Sequence, residues 1–381
     1  MKRFPASLLQ KLEERKQSNS LRKLNGYGSL VDFSSNDYLG FSKSEAVFSQ
    51  AHQLLADQKI IQNGATGSRL ISGNHPLYKT AEDFISEFHN APAALVFNSG
   101  YDANVGFFSS VPQRNDLILY DELIHASIRD GIRLSHAKAF KFRHNDLEDL
   151  EQNIVKHCSK NTSVYIVTES VFSMDGDSPN LEGLLQLSEK YNGYLVVDEA
   201  HALGVFGEKG EGLLQFLQLQ NKIFARIMTF GKGLGCHGAV ILGSTDLKEY
   251  LINFARSLIY TTGLSPHSVA TILTAYQHLE IDTQPLEKLC KNIVYFNQQK
   301  NLLGLKPMFV RSKSAIQSAI IPGNENAKQI ARQLQDKGFD VKPILSPTVP
   351  EGQERLRFCI HSYNSEEEIN QVLESLRDFM I

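Results

Sequence analysis

With 381 residues, 42% of them apolar and 21% charged, the chain has the composition of a folded protein with a sizeable core and not of a disordered one. A net charge of −3 excludes the concentrated basic face that nucleic acid demands, and no apolar run reaches the ~18 residues that cross a bilayer. Four cysteines, Cys158, Cys236, Cys290 and Cys359, stand far apart without a close pair, which predicts reduced, buried thiols and neither a disulfide framework nor a zinc site. The first residues turn charged too soon for a signal-peptide core, so the expected location is cytoplasmic. In chain order, Ser7 to Lys16 predicts a short amphipathic helix with Leu8, Leu9 and Leu12 on one face. A polar stretch through Asn25, Gly26 and Gly28 leads into a strand that ends in turn residues near Gly40. From residue 46 the pattern alternates. Short β-branched and aromatic runs recur at Ala94–Asn98, Leu117–Tyr120, Val164–Thr168, Tyr194–Val197, Arg226–Phe230 and Gly238–Leu242, with helices such as Leu147–His157 and Leu181–Tyr191 between several of them. This is α/β grammar: a largely parallel sheet with helices on both faces. After about residue 285, strands Ala315–Ile321, Phe339–Pro343 and Arg355–Ile360 alternate with helices Ala327–Lys337 and Glu366–Phe379. The last helix opens on a capping box, Ser365 with Glu368, and offers Ile369, Val372, Leu373 and Leu376 for burial. The division expected is an arm over residues 1–45, a large domain over 46–284 and a small α+β domain over 285–381.

Open parallel sheets bind ligands beyond the carboxyl ends of their strands, so the polar residues just after each apolar run are the candidates. Ser99-Gly100-Tyr101 joins a strand to a helix, an arrangement suited to an anion such as phosphate, although an ordinary strand-to-helix turn reads the same way. His125 follows the next run and by itself is equally a satisfied core histidine. Glu169 and the acidic turn Ser173-Met174-Asp175-Gly176-Asp177 follow another, readable as a solvated loop or a metal site. Asp198, with His201 three residues on, ends a buried strand, where a carboxylate is costly unless it meets a cation or several donors. Lys232 lies between Gly231 and Gly233 after Thr229-Phe230. The spacing fails the nucleotide phosphate-loop pattern, and no dinucleotide glycine fingerprint follows a first strand. What remains is a desolvated lysine able to form a Schiff base, beside an aspartate, a histidine and an anion site: the parts pyridoxal 5'-phosphate requires.

The strings Asp198-Glu199-Ala200-His201 and Thr229-Phe230-Gly231-Lys232-Gly233 resemble the α-oxoamine synthase family of fold-type I pyridoxal phosphate enzymes. Ser34-Ser35-Asn36-Asp37-Tyr38-Leu39-Gly40, Gly67-Ser68-Arg69, His125-Ala126-Ser127 and the stretch from Glu169 to Asp177 extend the match collinearly over nearly the whole chain. The resemblance implies a mostly parallel seven-stranded sheet in the large domain and a decarboxylating condensation of an amino acid with an acyl thioester. It casts Lys232 as the Schiff-base residue, Asp198 as partner of the pyridine nitrogen and His201, with Ser173, at the phenolic oxygen. His125 would stack on the ring and meet substrate. Gly100, Tyr101 and Thr229 would surround the phosphate, with Thr261 and Thr262 reaching that of a neighbouring subunit in a homodimer with shared sites. Arg357, helped by Asn36, would clamp the amino-acid carboxylate, and Arg22 and Thr348 would line the acyl pocket. No metal is implied. The Arg22 arm and Pro347-Thr348-Val349-Pro350 resemble the branch that serves biotin synthesis, which implies L-alanine and a pimeloyl group carried by coenzyme A or a carrier protein. Glycine- or serine-using synthases of the family, an aminotransferase and a regulatory subunit without activity are the competing readings; the last lose the lysine that this chain keeps. One stretch departs from relatives, which commonly carry small residues and a histidine after Arg357. Here it reads Phe358-Cys359-Ile360-His361-Ser362-Tyr363-Asn364, so the strand is expected to persist with an altered active-site face.

Overall fold

Apolar runs too short for a helix become strands where both faces can be covered, as parallel sheets flanked by helices allow. The computed structural model describes residues 4–22, 24, 28–159 and 162–380; Asn25 and Gly26 of the polar stretch lie outside the described residues. Its strands are β1 (Val31–Asp32), β2 (Ala93–Phe97), β3 (Leu117–Asp121), β4 (Lys138–Phe142), β5 (Val164–Glu169), β6 (Tyr194–Asp198), β7 (Ala225–Thr229), β8 (Ala239–Gly243), β9 (Ile316–Ile320), β10 (Phe339–Asp340), β11 (Lys342–Ile344) and β12 (Arg355–Cys359). Contacts divide the chain into two compact units. The larger holds Asn36–Ser173 and Asp177–Leu289; the smaller holds the segment ending at Ser35, the tripeptide Met174–Gly176 and the chain from Cys290 onward. Residues 36–45, which the sequence reading puts in the arm, group with the larger unit.

In the larger unit seven strands form one sheet in the order β2-β8-β7-β6-β5-β3-β4. Only β8 runs against its neighbours, pairing antiparallel with both β2 and β7. The short link from β7 to β8, which carries Lys232, leaves no room for a crossover helix, so β8 must return antiparallel. The edge strand β4 is absent from the sequence reading. Its lysines at 138 and 141 interrupt the apolar pattern, as exposed edges require. Helices Gly100–Ser110, Ala126–Leu134 and Thr245–Phe254 pack with the strands around Phe97, Phe107, Phe108, Ile118, Val167, Val196 and Ile241. Three of the strands end on carboxylates: Asp121 on β3, Glu169 on β5 and Asp198 on β6. Glu169 and Asp198 face each other in register across neighbouring parallel strands.

In the smaller unit β11, β12 and β9 form an antiparallel sheet, and β1 pairs in parallel with β10. The single run read at Phe339–Pro343 thus divides into two strands in different sheets. Gly338, at φ +98°, ends the preceding helix in a backbone region open to glycine. The capping box forms as read: Ser365 N–H donates to Glu368 Oε2 at 2.7 Å and Glu368 N–H to Ser365 Oγ at 3.2 Å. Ile369, Val372, Leu373 and Leu376 are buried. His361 is fully buried; its Nδ1 lies 3.1 Å from the Asp32 carbonyl and its Nε2 3.1 Å from that of Ser35. The departing stretch is therefore internal packing between chain ends, and β12 persists through Cys359. Two expectations need correction. The first helix, Ala6–Gln17, leaves Leu8, Leu9 and Leu12 exposed, because nothing in the described chain covers that face. Of the cysteines only Cys359 is buried; Cys158 and Cys236 are half-buried and Cys290 is exposed on the outer face of a helix. Among the described residues no helix is long and apolar enough to cross a membrane.

Candidate active site

The hairpin loop after β7 carries Lys232, and its two flanking glycines are not equivalent. A Cβ on Gly233 would lie 2.3 Å from the Leu203 carbonyl oxygen, whereas one on Gly231 would meet nothing closer than 3.5 Å. Close passage of the loop over the turn at Leu203-Gly204 is thus what demands Gly233, and it sets where Lys232 stands. Gly233→Ala should lower thermal stability by about 1–3 kcal/mol and displace the lysine, while Gly231→Ala should keep parental stability and cofactor binding. Parallel thermal melts and cofactor titrations of the two variants check this; equal behaviour would refute it.

Lys232 Nζ lies 2.6 Å from His201 Nε2. On the other side of that ring, Nδ1 lies 2.7 Å from the Tyr38 hydroxyl, which in turn donates to Asn36 Oδ1 at 3.3 Å. A chain of polar groups therefore runs from the lysine to Asn36 through a tyrosine that the sequence reading quoted in a motif but gave no role. Only the structure shows Tyr38 fully buried, where its hydroxyl needs a partner.

Asp198 ends β6 with its carboxylate in donors. Asn104 Nδ2 donates to Oδ2 at 2.8 Å, and the Ala200 backbone N–H donates to Oδ1 at 2.8 Å. His125 caps the helix Ala126–Leu134, where its Nδ1 accepts from the Ser127 N–H at 3.3 Å and lies 2.7 Å from Ser127 Oγ. The His125 backbone N–H donates to Glu169 Oε1 at 2.5 Å. Burial pushes the Glu169 carboxyl up to about 8, helped by the Asp198 charge and opposed by Lys232. Burial likewise holds the His125 ring below the ordinary histidine value; Asp198 and Asp130 pull it upward and Lys232 downward.

Gly100 opens an eleven-residue helix capped by Ser99, whose Oγ accepts from the Asp102 N–H at 3.0 Å. A Cβ at Gly100 would sit 3.3 Å from Thr229 Cβ, so the bare backbone lets the helix start lie against Thr229 Oγ1. Tyr101 turns outward, half exposed, with its hydroxyl donating to Asp130 at 2.9 Å. Asn98 donates to Thr261 Oγ1 at 3.1 Å and to the Thr262 carbonyl at 2.6 Å, which ties both threonines to the strand end that precedes Gly100. Ser173 is buried in the turn after β5. In the smaller unit the Arg22 guanidinium donates to Thr348 Oγ1 at 3.4 Å, joining two residues far apart in sequence. Arg357 and Arg355 stand two apart on β12, and Arg355 is committed to an ion pair with Asp175.

The larger unit thus gathers Lys232, His201, Asp198, His125, Gly100, Thr229 and Asn36, while Arg22, Thr348 and Arg357 belong to the smaller. The donor set fits a phosphate-bearing pyridine aldehyde. A helix start with no side chain faces a threonine hydroxyl for the phosphate, a buried carboxylate is present for the ring nitrogen, and a lysine amine for the aldehyde. The sequence motifs include Ser127 without a role, and Asn104 is not among them. The signal for Asn104 is a polar residue four places after Gly100, on the helix face that its neighbours Ala103 and Phe107 bury.

The aminotransferase class I and II family matches residues 29–376. An 8-amino-7-oxononanoate synthase of Emericella nidulans is 41% identical, over 98% of this chain and 95% of its own. Among solved structures, the 8-amino-7-oxononanoate synthase of Francisella tularensis is 30% identical with a TM-score of 0.78, covering 92% of this chain and 97% of that one. A serine palmitoyltransferase from S. paucimobilis is 25% identical with a TM-score of 0.89, covering 98% and 96%. Fold, cofactor and chemistry follow together: the chain belongs to the aminotransferase class I and II family, among its pyridoxal 5'-phosphate-dependent α-oxoamine synthases, which are acyltransferases.

Proposed function

We propose that this chain condenses L-alanine with a pimeloyl thioester, releasing the thiol and carbon dioxide, to form 8-amino-7-oxononanoate for biotin synthesis. The observation that carries the chemistry is the amine of Lys232 held 2.6 Å from His201 in a site whose other pole is the donor-filled carboxylate of Asp198. Sequence supports the choice of substrate, since identity to 8-amino-7-oxononanoate synthases exceeds identity to serine palmitoyltransferases. The higher TM-score of the latter reflects a fold common to both and leaves the serine-using reaction as the second reading.

When bound, pyridoxal 5'-phosphate supplies an aldehyde for the amino group and a ring that stores electrons. The protein does the rest. Gly100 and Thr229, with the Tyr101 backbone beside them, would hold the phosphate at the start of the helix that Gly100 opens, where backbone N–H groups and the helix dipole favour an anion. Asp198, its carboxylate already oriented by Asn104 and Ala200, would keep a proton on the ring nitrogen. His201 and Ser173 would hold the phenolic oxygen, and His125 would cover the ring and meet substrate. Lys232 takes the Cα proton of the amino acid and later returns one there. Arg357 and Asn36 are the residues assigned to the amino-acid carboxylate, for which a planar guanidinium suits two parallel hydrogen bonds. Arg22 and Thr348 line the acyl pocket. The working form is a cytoplasmic homodimer in which Thr261 and Thr262 reach the neighbouring subunit's phosphate, and the thioester is carried by coenzyme A or a carrier protein.

Mass spectrometry of products, after incubation with equimolar L-alanine, glycine and L-serine and with pimeloyl thioester, tests this. The expected dominant product is 8-amino-7-oxononanoate. Predominant glycine- or serine-derived ketone would overturn the substrate assignment, and an unchanged thioester with aminated cofactor would point to an aminotransferase.

A further inference from the structure

Three buried polar groups, from one strand and two helices, lead to the more exposed ring of His125 in a chain whose hydrogen-bond directions are settled by chemistry alone. Asn104, Ser127 and Asp198 are 2%, 1% and 6% exposed. Asn104 Nδ2 lies 2.8 Å from Asp198 Oδ2 and 3.0 Å from Ser127 Oγ. A carboxylate only accepts, so the nitrogen of the amide must face it; the flipped amide would set two oxygens together and leave its NH₂ buried without an acceptor. Both Nδ2 hydrogens are then assigned, one to Asp198 and one to Ser127 Oγ. Because Ser127 Oγ accepts from Asn104, its own hydrogen goes to its other neighbour, His125 Nδ1, 2.7 Å away. The Ser127 backbone N–H points at the same nitrogen from 3.3 Å and cannot reverse.

We propose that Asn104 and Ser127 are positioning residues that lock His125 as the neutral ring with a bare Nδ1 and its proton on Nε2, making it a fixed donor at that atom. A proton on Nδ1 would oppose two donors, one of them backbone. The cap position adds to this, since the positive end of the helix Ala126–Leu134 disfavours an imidazolium. The charged groups acting on the ring are Asp198 and Asp130, which favour its protonation, and Lys232, which disfavours it; Glu169 holds the backbone N–H of the same residue. Burial joins Lys232 on the side of the neutral ring. The same chain makes Asp198 and His125 interdependent. Asn104 can serve both only while Asp198 stays a carboxylate and His125 stays neutral.

The lock belongs to the protein and stands whether or not alanine is the substrate; only the use of the Nε2 proton rests on the function proposed above. Long-range ¹⁵N–¹H correlation spectra of histidine-labelled protein, cofactor-free and cofactor-loaded, read the tautomer directly, with the His125 signal assigned by its loss in His125→Asn. The expected spectrum is a bare Nδ1 and a protonated Nε2 through neutral pH. Ser127→Ala and Asn104→Leu should each raise the protonation midpoint of this ring by about one pH unit and admit the other tautomer. The acidic limb of the kcat–pH profile should move with it. An Nδ1–H or doubly protonated ring in the parent protein overturns the proposal, and so does a midpoint unmoved by Ser127→Ala. If Asn104→Leu does not fold, the parent spectrum and Ser127→Ala decide the matter. A confirmed lock with no alanine-derived product would sink the substrate assignment alone.

Discussion

Lys232→Ala is expected to abolish product formation, with kcat/KM falling by at least about 10⁴-fold. On the proposed reaction the change removes both the covalent anchor and a general acid–base group, and the latter alone is worth roughly 10²–10⁴. Lys232→Arg is the sharper control. A guanidinium can still face His201, yet it does not condense with an aldehyde at neutral pH, so the variant should keep the fold and be equally inactive. Borohydride treatment of the parent enzyme should fix the cofactor on the proteolytic peptide that contains Lys232, and neither variant should retain it. Substantial activity in Lys232→Arg, or a cofactor fixed on another lysine, would remove the basis of the proposed reaction.

The second large effect concerns stability. His144 stands between two carboxylates: Nδ1 lies 2.9 Å from Asp121 Oδ1 and Nε2 lies 2.9 Å from Asp177 Oδ2. Burial by itself would lower the pKa of this ring, but the two carboxylates outweigh it and push the ring up to about 10. The unfolded chain has an ordinary value near ~6.5, so the folded state binds the proton more tightly. The stabilisation is complete below that value, declines as pH rises above it, and is lost once pH passes about 10. His144→Leu leaves Asp121 and Asp177 facing each other without a cation. The expected cost at neutral pH is about 3 kcal/mol, taken at the lower end for broken buried pairs because the ring is partly exposed. Denaturant titrations across this range should show the difference between parent and variant shrinking as pH rises. A constant difference would mean that His144 acts by packing, through its edge contact with Phe172, and not by charge. The consequence reaches the site, since Phe172 N–H donates to the Asp177 carbonyl at 3.0 Å and so closes the turn that holds Ser173.

Much of this was legible without coordinates. Lys232 between two glycines, Asp198 at the end of a buried run and His201 three residues on identify the chemistry, because local sequence dictates which side chains leave the carboxyl ends of strands. Helix ends were equally plain, since Ser365 with Glu368 and Gly338 act within one turn. The edge strand β4 and the split of the run at Phe339 were hidden because each depends on which partner strand is available, and that partner is distant in sequence.

By itself the amino-acid order determined the cofactor chemistry and the α/β class and pointed to the candidate residues, all being consequences of short-range pattern. Only the tertiary structure decided that Gly233 and not Gly231 is sterically required, that Tyr38 backs His201, and that Asn104 and Ser127 join Asp198 to His125. The physical reason is the same in each case. Hydrogen-bond direction and close approach are properties of atoms a few ångströms apart, and packing brings those atoms together from segments up to 163 residues apart.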